Sequence, residues 1–565
     1  MTTLLDTAIP RTLTQLVERF TANPATRVEA WLFEDVAARR AAEKTLAEAG
    51  VVAVLRSAYK PLVHFFLEEL GDGASEGEIT VQTPTGRGQR FRLEAYPLAG
   101  LIGPAATLRF VEGEGEDLRA DHLVTAQNKH WRVFAPNDAT SSPCGWLRVW
   151  QGDTLTEDAA LKTEFEAASD AALDAIRRHE WPATLPLFDT LEIAIATTGI
   201  ERPLAFGHET ISTIEALHED CYYGALEFFK ARAGVADADR RLQPGQIVPL
   251  ISQVDGDTRV VVRLTTHRRV DLPVNKAVAL DAAEQSLAPA EVELAMAGLW
   301  GEPFSVTSFQ GRKVAGVHVR GTLPGLAITA GQHANESSGV VGALRAAHHL
   351  NQHPNAHYAL VALENPDGAA LHHHLQQTHP THMAHAARYT ALGDDLEARI
   401  TPPFGEKAAR LEAIARTGAR LHLSLHGYPA HEWTRPRAGY VPRGSELWTV
   451  PKGFFLIFRR HPGYDGMRFL NALTHELLSG SPELAEFNAV QQRMWHAHVG
   501  DLPFERINGI PCQITTDERS TVPFTLVTEF PDETVQGAAF QLAHTTQMRT
   551  VLAAARLYWD GLLDG

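Results

Sequence analysis

The chain has little cysteine, no long apolar run and a shortage of positive charge. Its three cysteines, Cys144, Cys221 and Cys512, stand far apart in 565 residues. Such a set has no metal-binding or redox spacing and no disulfide framework, and it points to a reducing compartment. No stretch reaches the roughly 18 uncharged apolar residues needed to span a membrane. The first twenty residues lack a cationic start, an apolar core and a small-residue cleavage site, so no secretory signal is read there. Leu13, Leu16, Val17 and Phe20 instead mark one face of an amphipathic helix. The expected location is the cytoplasm. Lys and Arg number 51 against 68 Asp and Glu, a formal net charge of −17. That balance argues against a general nucleic-acid surface, which needs clustered cations. In a chain of this size it bears mainly on solubility.

What is present reads as a soluble globular protein, with 44% hydrophobic and 21% charged residues. The length exceeds one ordinary core, so several domains are expected. Strands at Val28–Phe33 and Val51–Leu55, helices at Ala37–Ala49 and from Pro61, and several strands over Glu78–Phe110 suggest an α+β region, taken as residues 1–150. Val111–Asp153 reads mostly as loop, its Trp131, Trp146 and Trp150 as packing residues. A second α+β region, residues 151–287, is expected to hold helices at Glu157–Arg178 and Ile211–Ala233 and a strand at Leu191–Thr197. Two further strands in Ile247–Leu264 would be joined as a hairpin at Asp255-Gly256-Asp257. The alanine-rich stretch Lys276–Ala288, with Pro289 after it, marks the next boundary. Beyond it a helix and two strands, Phe304–Ser308 and Val314–Val319, open the third region, residues 288–565.

That third region carries the chemistry. Leu326–Ala330 is a short apolar run bounded by Gly331, reading as a buried strand. His333 and Glu336 follow on a turn before an apolar-periodic helix. An HxxE pair at a strand end can offer an imidazole and a carboxylate to one zinc ion, although four residues alone are an unspecific signal. Three later stretches add to it. Leu421–Tyr428 is a strand delivering His426 before a glycine. Phe524–Pro531 is a β-rich run carrying Glu529. Glu364–Gly368, ENPDG, is a turn after the apolar strand Tyr358–Leu363. A catalytic zinc site needs three protein ligands, an open position and a nearby base, and this inventory supplies them.

In order, HANE, NPDG, GDDLEAR, LHG and TEF resemble the pattern of the zinc carboxypeptidases, the carboxypeptidase A-like metallopeptidases, over about half the chain. The resemblance implies an α/β fold with a mixed, mostly parallel sheet flanked by helices in residues 288–565. It also implies one zinc ion per chain, bound by His333, Glu336 and His426, with Glu529 as general base. Arg388 would steady the oxyanion, and Asp395 would hydrogen-bond the first ligand histidine, a role with independent physical sense. Each of these last two also reads plainly as a surface cation and a loop residue.

One departure stands out. The family's Asn-Arg pair, which grips a peptide's terminal carboxylate, falls here on Glu397-Ala398, and neither can clamp a carboxylate. Arg399, one position further on, would serve only if the backbone bulged there. No match is found for the family's substrate-capping tyrosine. The expected substrate is therefore a peptide or an N-acyl amino acid. The alternatives are an aspartoacylase-type deacylase and a non-catalytic binding protein on the same fold. His208-Glu209, His218-Glu219-Asp220 and His475-Glu476 lack a third ligand and read as structural or exposed. The histidine-rich stretch Leu371–His385 reads as a solvated loop lining the cleft.

Overall fold

The structure is a computed structural model, described for all residues except 72–76, 85–92, 104, 114–120, 267–277, 439–445, 519 and 564–565. Parts of three sequence readings, the loop Gly71–Gly77, the strands within Glu78–Phe110 and the linker Lys276–Ala288, fall outside the described residues. No helix among those described is long and apolar enough to cross a membrane.

The first half is built on three four-stranded sheets. In one, Thr2–Ile9 and Thr190–Thr197 flank Thr258–Thr265, and Gln246–Gln253 forms an edge. The expected hairpin at residues 255–257 is therefore not a hairpin. Thr190–Thr197 lies between its two arms, parallel to one and antiparallel to the other. A turn signal fixes a reversal of direction, and here a third strand with alternating burial inserts between the arms. In a second sheet Trp146–Gln151 pairs with Thr154–Ala160. The expected boundary at 150/151 falls inside that hairpin, and Glu157–Ala160 is strand, with the helix beginning at Glu164. The supposed loop from Val111 to Asp153 likewise holds the strands Asp121–Ala126, Lys129–Phe134 and Trp146–Gln151.

Helix Thr213–Ala233 is one of the elements through which this half reaches the other. Ser212 caps its start by accepting a hydrogen bond from the Glu215 amide, and Gly234 ends it in a left-handed conformation. Glu215, His218, Glu219 and Asp220 are all buried, four ionisable groups within six residues of one helix. Each such group needs a partner.

The second half is organised around a nine-stranded sheet. Its order is Glu302–Thr307, Lys313–Val319, Tyr358–Val361, Leu326–Ala330, Leu421–Tyr428, Phe524–Pro531, Phe455–Arg460, Ile510–Thr516, Glu505–Ile507. The entry helix at Pro289–Ala297 and the antiparallel pair after it agree with the sequence reading. Four strand junctions are parallel and four antiparallel. The sheet is thus evenly mixed rather than mostly parallel. The parallel block is central, where Leu326–Ala330, Leu421–Tyr428 and Phe524–Pro531 are buried along their whole lengths, as parallel strands covered on both faces must be.

Helices supply that cover. Ser338–Leu350 and Ala538–Trp559 pack together on one face, where a Cβ on Gly342 would stand 2.5 Å from the Cβ of Gln547. Only glycine allows these two helices to approach so closely. On the other face Ala409 and Ala413 of helix Ala408–Thr417 pack with Phe304, Val314, Ala359 and Val361. The central strands run the same way, so Ala330, Val361, Tyr428 and Pro531 end at one edge, where open α/β sheets place their sites.

Candidate metal centre

His333, Glu336 and His426 meet at that edge. Each offers one ligand atom, all within 4.8 Å of one another, and all three residues are buried. The turn after Leu326–Ala330 carries the first two, and the Glu336 amide donates to the His333 carbonyl at 3.2 Å. Glu336 lies at the centre. Its Oε1 is 2.7 Å from His333 Nδ1 and its Oε2 is 2.8 Å from His426 Nδ1. Arg388 donates to Oε1 at 2.6 Å, and the Gly427 amide to Oε2 at 3.2 Å. Burial alone would raise the Glu336 pKa. His333, Arg388 and His426 outweigh it and hold the carboxyl well below its usual range.

Glu529 is the register partner of His426 on the neighbouring parallel strand. Its Oε2 is buried and has no hydrogen-bond partner among the described residues. Burial and the Glu336 charge push its carboxyl well above the usual range. Two imidazoles and a carboxylate are ordinary zinc donors. The convergent donors and the unpartnered Glu529 oxygen beside them fit a zinc ion with water at its open position.

Asp395 stands behind His333, its Oδ2 at 3.4 Å from Nε2. Gln332 Nε2 donates to the other oxygen at 2.9 Å, and the Glu397 amide does so at 3.0 Å. Burial opposes the charge on Asp395, but His333 and nearby arginines keep it well below the usual carboxylate range. Arg388 follows the short turn His385–Ala387. The NPDG turn holds this segment in place. Asn365 accepts from the Gly368 amide at 2.9 Å, capping helix Pro366–Gln376, and donates to the Tyr389 carbonyl at 3.0 Å. Asp367 accepts from Ser308 Oγ at 2.7 Å and from Arg312 at 3.0 Å, fixing the strand pair at the sheet edge. The structure thus brings together all six residues singled out from the sequence.

Two expectations change. Arg399 is not available to a substrate carboxylate in the way considered. It donates to Asp394 at 2.7 and 2.8 Å and to Glu406 at 2.5 Å, anchored behind the turn Leu396–Ala398. The histidine-rich stretch is not a solvated loop. Its first half is helix, with His372 buried, and His385 is buried too.

His385 exposes what the sequence reading missed. Its Nδ1 lies 2.7 Å from Glu219 and its Nε2 lies 3.3 Å from Glu533. Glu533 accepts from Asn335 at 2.8 Å and faces Arg388 at 3.7 Å. Burial opposes a charged His385, but Glu219 and Glu533 raise its pKa to about 10. Glu215 accepts from the Met383 amide at 2.6 Å. Helix Thr213–Ala233 therefore clamps the Arg388 segment from outside. Glu533, four residues after Glu529, was within reach of sequence reading; Glu219 was read as structural or exposed, but its partner His385 lies 166 residues away and local spacing does not join them.

A cavity of about 480 Å³ opens on this centre, lined by His333, His426, Arg388 and Glu529. Tyr223 and Arg240, from the first half of the chain, form one wall.

No family model matches the sequence, and no curated protein matches it either. Among solved structures, a metallo-carboxypeptidase from Burkholderia cenocepacia is 14% identical, the match covering 54% of this chain and 76% of that one at a TM-score of 0.29. The carboxypeptidase A from Helicoverpa armigera is 9% identical over 55% of this chain and 90% of that one, at 0.31. A murein-tripeptide amidase from Escherichia coli O157 is 13% identical over 45% and 95%, at 0.24. Likeness at that level adds nothing to the chemistry of the centre, which stands on its own geometry.

Proposed function

We propose that the chain is a zinc-dependent hydrolase of peptide or other amide bonds, with residues 288–565 as a carboxypeptidase-like catalytic unit. One observation carries this reading: two histidines and a carboxylate converge beside an unpartnered, buried Glu529 in an open cavity. His333, Glu336 and His426 would hold the zinc, which when bound supplies Lewis acidity and a water pKa near neutrality. Glu529 takes a proton from the attacking water and returns it to the departing nitrogen, a use suited to a carboxyl whose pKa burial has raised. Arg388 presents its guanidinium where negative charge develops on the carbonyl oxygen. Asp395 fixes the ring orientation of His333.

The first half of the chain walls the cavity and holds Arg388 through Glu219 and His385. It is proposed to restrict which substrates enter. A cytoplasmic location agrees with three buried cysteines that are all free thiols. The test is the zinc content of purified protein beside His333→Ala and His426→Ala, with turnover measured on peptides and N-acyl amino acids. About one zinc per chain, lost in both variants, with amide cleavage by the wild type, is expected. Wild-type protein that takes up no zinc after reconstitution would overturn the reading.

A further inference from the structure

The cavity floor follows the pleat of three strands. Alternate residues share a face, and on this face His422, Ser424 and His426 run beside Thr525, Val527 and Glu529, with Ile457 and Arg459 on the third strand. Pairing sets them in rows: His426 opposite Glu529, Ser424 and Ile457 opposite Val527, His422 and Arg459 opposite Thr525. The Arg459 row lies four residues from the Glu529 row, about 13 Å down the strands.

Three cations gather at this deep end. Arg410 is fully occupied, donating to Glu364 at 2.8 Å, to Glu397 at 2.7 Å and to Gln332. Lys407 donates to the Glu397 carbonyl at 2.9 Å. Among the described residues Arg459 has one side-chain partner, Glu397 at 3.2 Å, while its Nε is buried without one and its side chain stays 21% exposed. Thr525 Oγ1, in the same row, is also buried and has no partner among the described residues. All three cations face Glu397, and Lys407 also faces Glu364 and Asp395. A half-buried, under-partnered guanidinium with a hydroxyl in the same row suits a carboxylate.

We propose that Arg459 and Thr525 form a receptor for a substrate carboxylate, making the enzyme selective for an acidic residue beyond the scissile bond. The inference rests on the hydrolase reading, which places that bond at the Glu529 row. Consecutive Cα atoms are only about 3.8 Å apart, so a terminal main-chain carboxylate one residue on falls short of this depth. An acidic side chain extends further towards it. The selectivity replaces a terminal clamp that Glu397 and Ala398 do not provide.

The test uses zinc-loaded Glu529→Gln protein and three ligands, acetyl-Ala-Glu, acetyl-Ala-Gln and acetyl-Ala-Glu α-amide, with binding followed by calorimetry. Acetyl-Ala-Glu should bind about tenfold or more tightly than the Gln peptide. The α-amide should keep that advantage, and Arg459→Met in the same protein should erase it. Equal binding of the Glu and Gln peptides, which needs no variant at Arg459, overturns the proposal. So does an advantage lost on α-amidation, which would assign the terminal carboxylate instead. Wild-type turnover of the same peptides is a separate readout. A Glu preference in binding with no cleavage defeats the hydrolase reading and leaves the receptor standing, whereas cleavage with equal binding does the reverse.

Discussion

His426 and Glu529 stand side by side at the same end of two parallel strands, paired in register from Leu421–Phe524 onward. A slip of one residue would turn one of the two to the opposite face of the sheet. The spacing of a metal donor and a proton acceptor is thus set by backbone pairing in a fully buried part of the sheet.

Replacing Glu529 by glutamine keeps the volume and removes the base. Turnover should fall by about 10² to 10⁴-fold, with zinc content unchanged, because Glu529 is not among the three convergent donors. Steady-state kinetics beside metal analysis measures both. Activity near the wild-type level would take Glu529 out of the proton transfer.

Asp395→Asn removes the charge facing His333 Nε2 but leaves an oxygen for Gln332 and for the Glu397 amide. Zinc affinity should drop by about 10 to 100-fold, read by competition with a chelator. Affinity equal to the wild type would mean that Asp395 serves only the loop it belongs to.

How much of this was legible depended on distance along the chain. His333 with Glu336, the strand ends at His426 and Glu529, and the turn at Asn365 are local patterns of period, turn and spacing, and each lies where the sequence placed it. The evenly mixed sheet was not legible, since strand direction depends on how Phe455–Arg460 and the edge strands return, and that leaves no local signature. Nor was the strand that inserts between Gln246–Gln253 and Thr258–Thr265. The pairing of Glu219 with His385 joins a histidine-and-acid cluster to a histidine-rich stretch, and each looks idle alone. Burial on a crowded helix, visible only in three dimensions, makes them partners.

Glu219 and His385 give the third prediction. Both are buried, and Glu219→Ala leaves a charged imidazole with Glu533 alone. Breaking one side of a buried pair costs about 3 to 5 kcal/mol, measurable by urea unfolding at neutral pH. The pH dependence follows from the raised His385 pKa. Its contribution is fully present below the unfolded value near 6.5 and is lost as pH rises towards about 10. Wild-type stability should therefore decline across that window, and the variant, lacking the main partner, should decline less steeply. Parallel curves would show that His385 is not charged in the folded protein.

His372 has the opposite sign. It is buried on helix Pro366–Gln376 with no partner for Nε2 among the described residues, and burial lowers its pKa to about 3. Between about pH 3 and 6.5 the unfolded chain binds a proton there that the folded chain refuses, so this residue costs stability as pH falls through that range. One proton corresponds to about 1.4 kcal/mol per pH unit. His372→Leu keeps an apolar side chain of similar reach and cannot take up the proton. Its unfolding free energy, compared with the wild type at pH 6.5 and 5.0, should fall less on acidification, by about one proton's slope. An identical slope in the two proteins would mean that the folded state admits the charge, through water or a partner reaching Nε2.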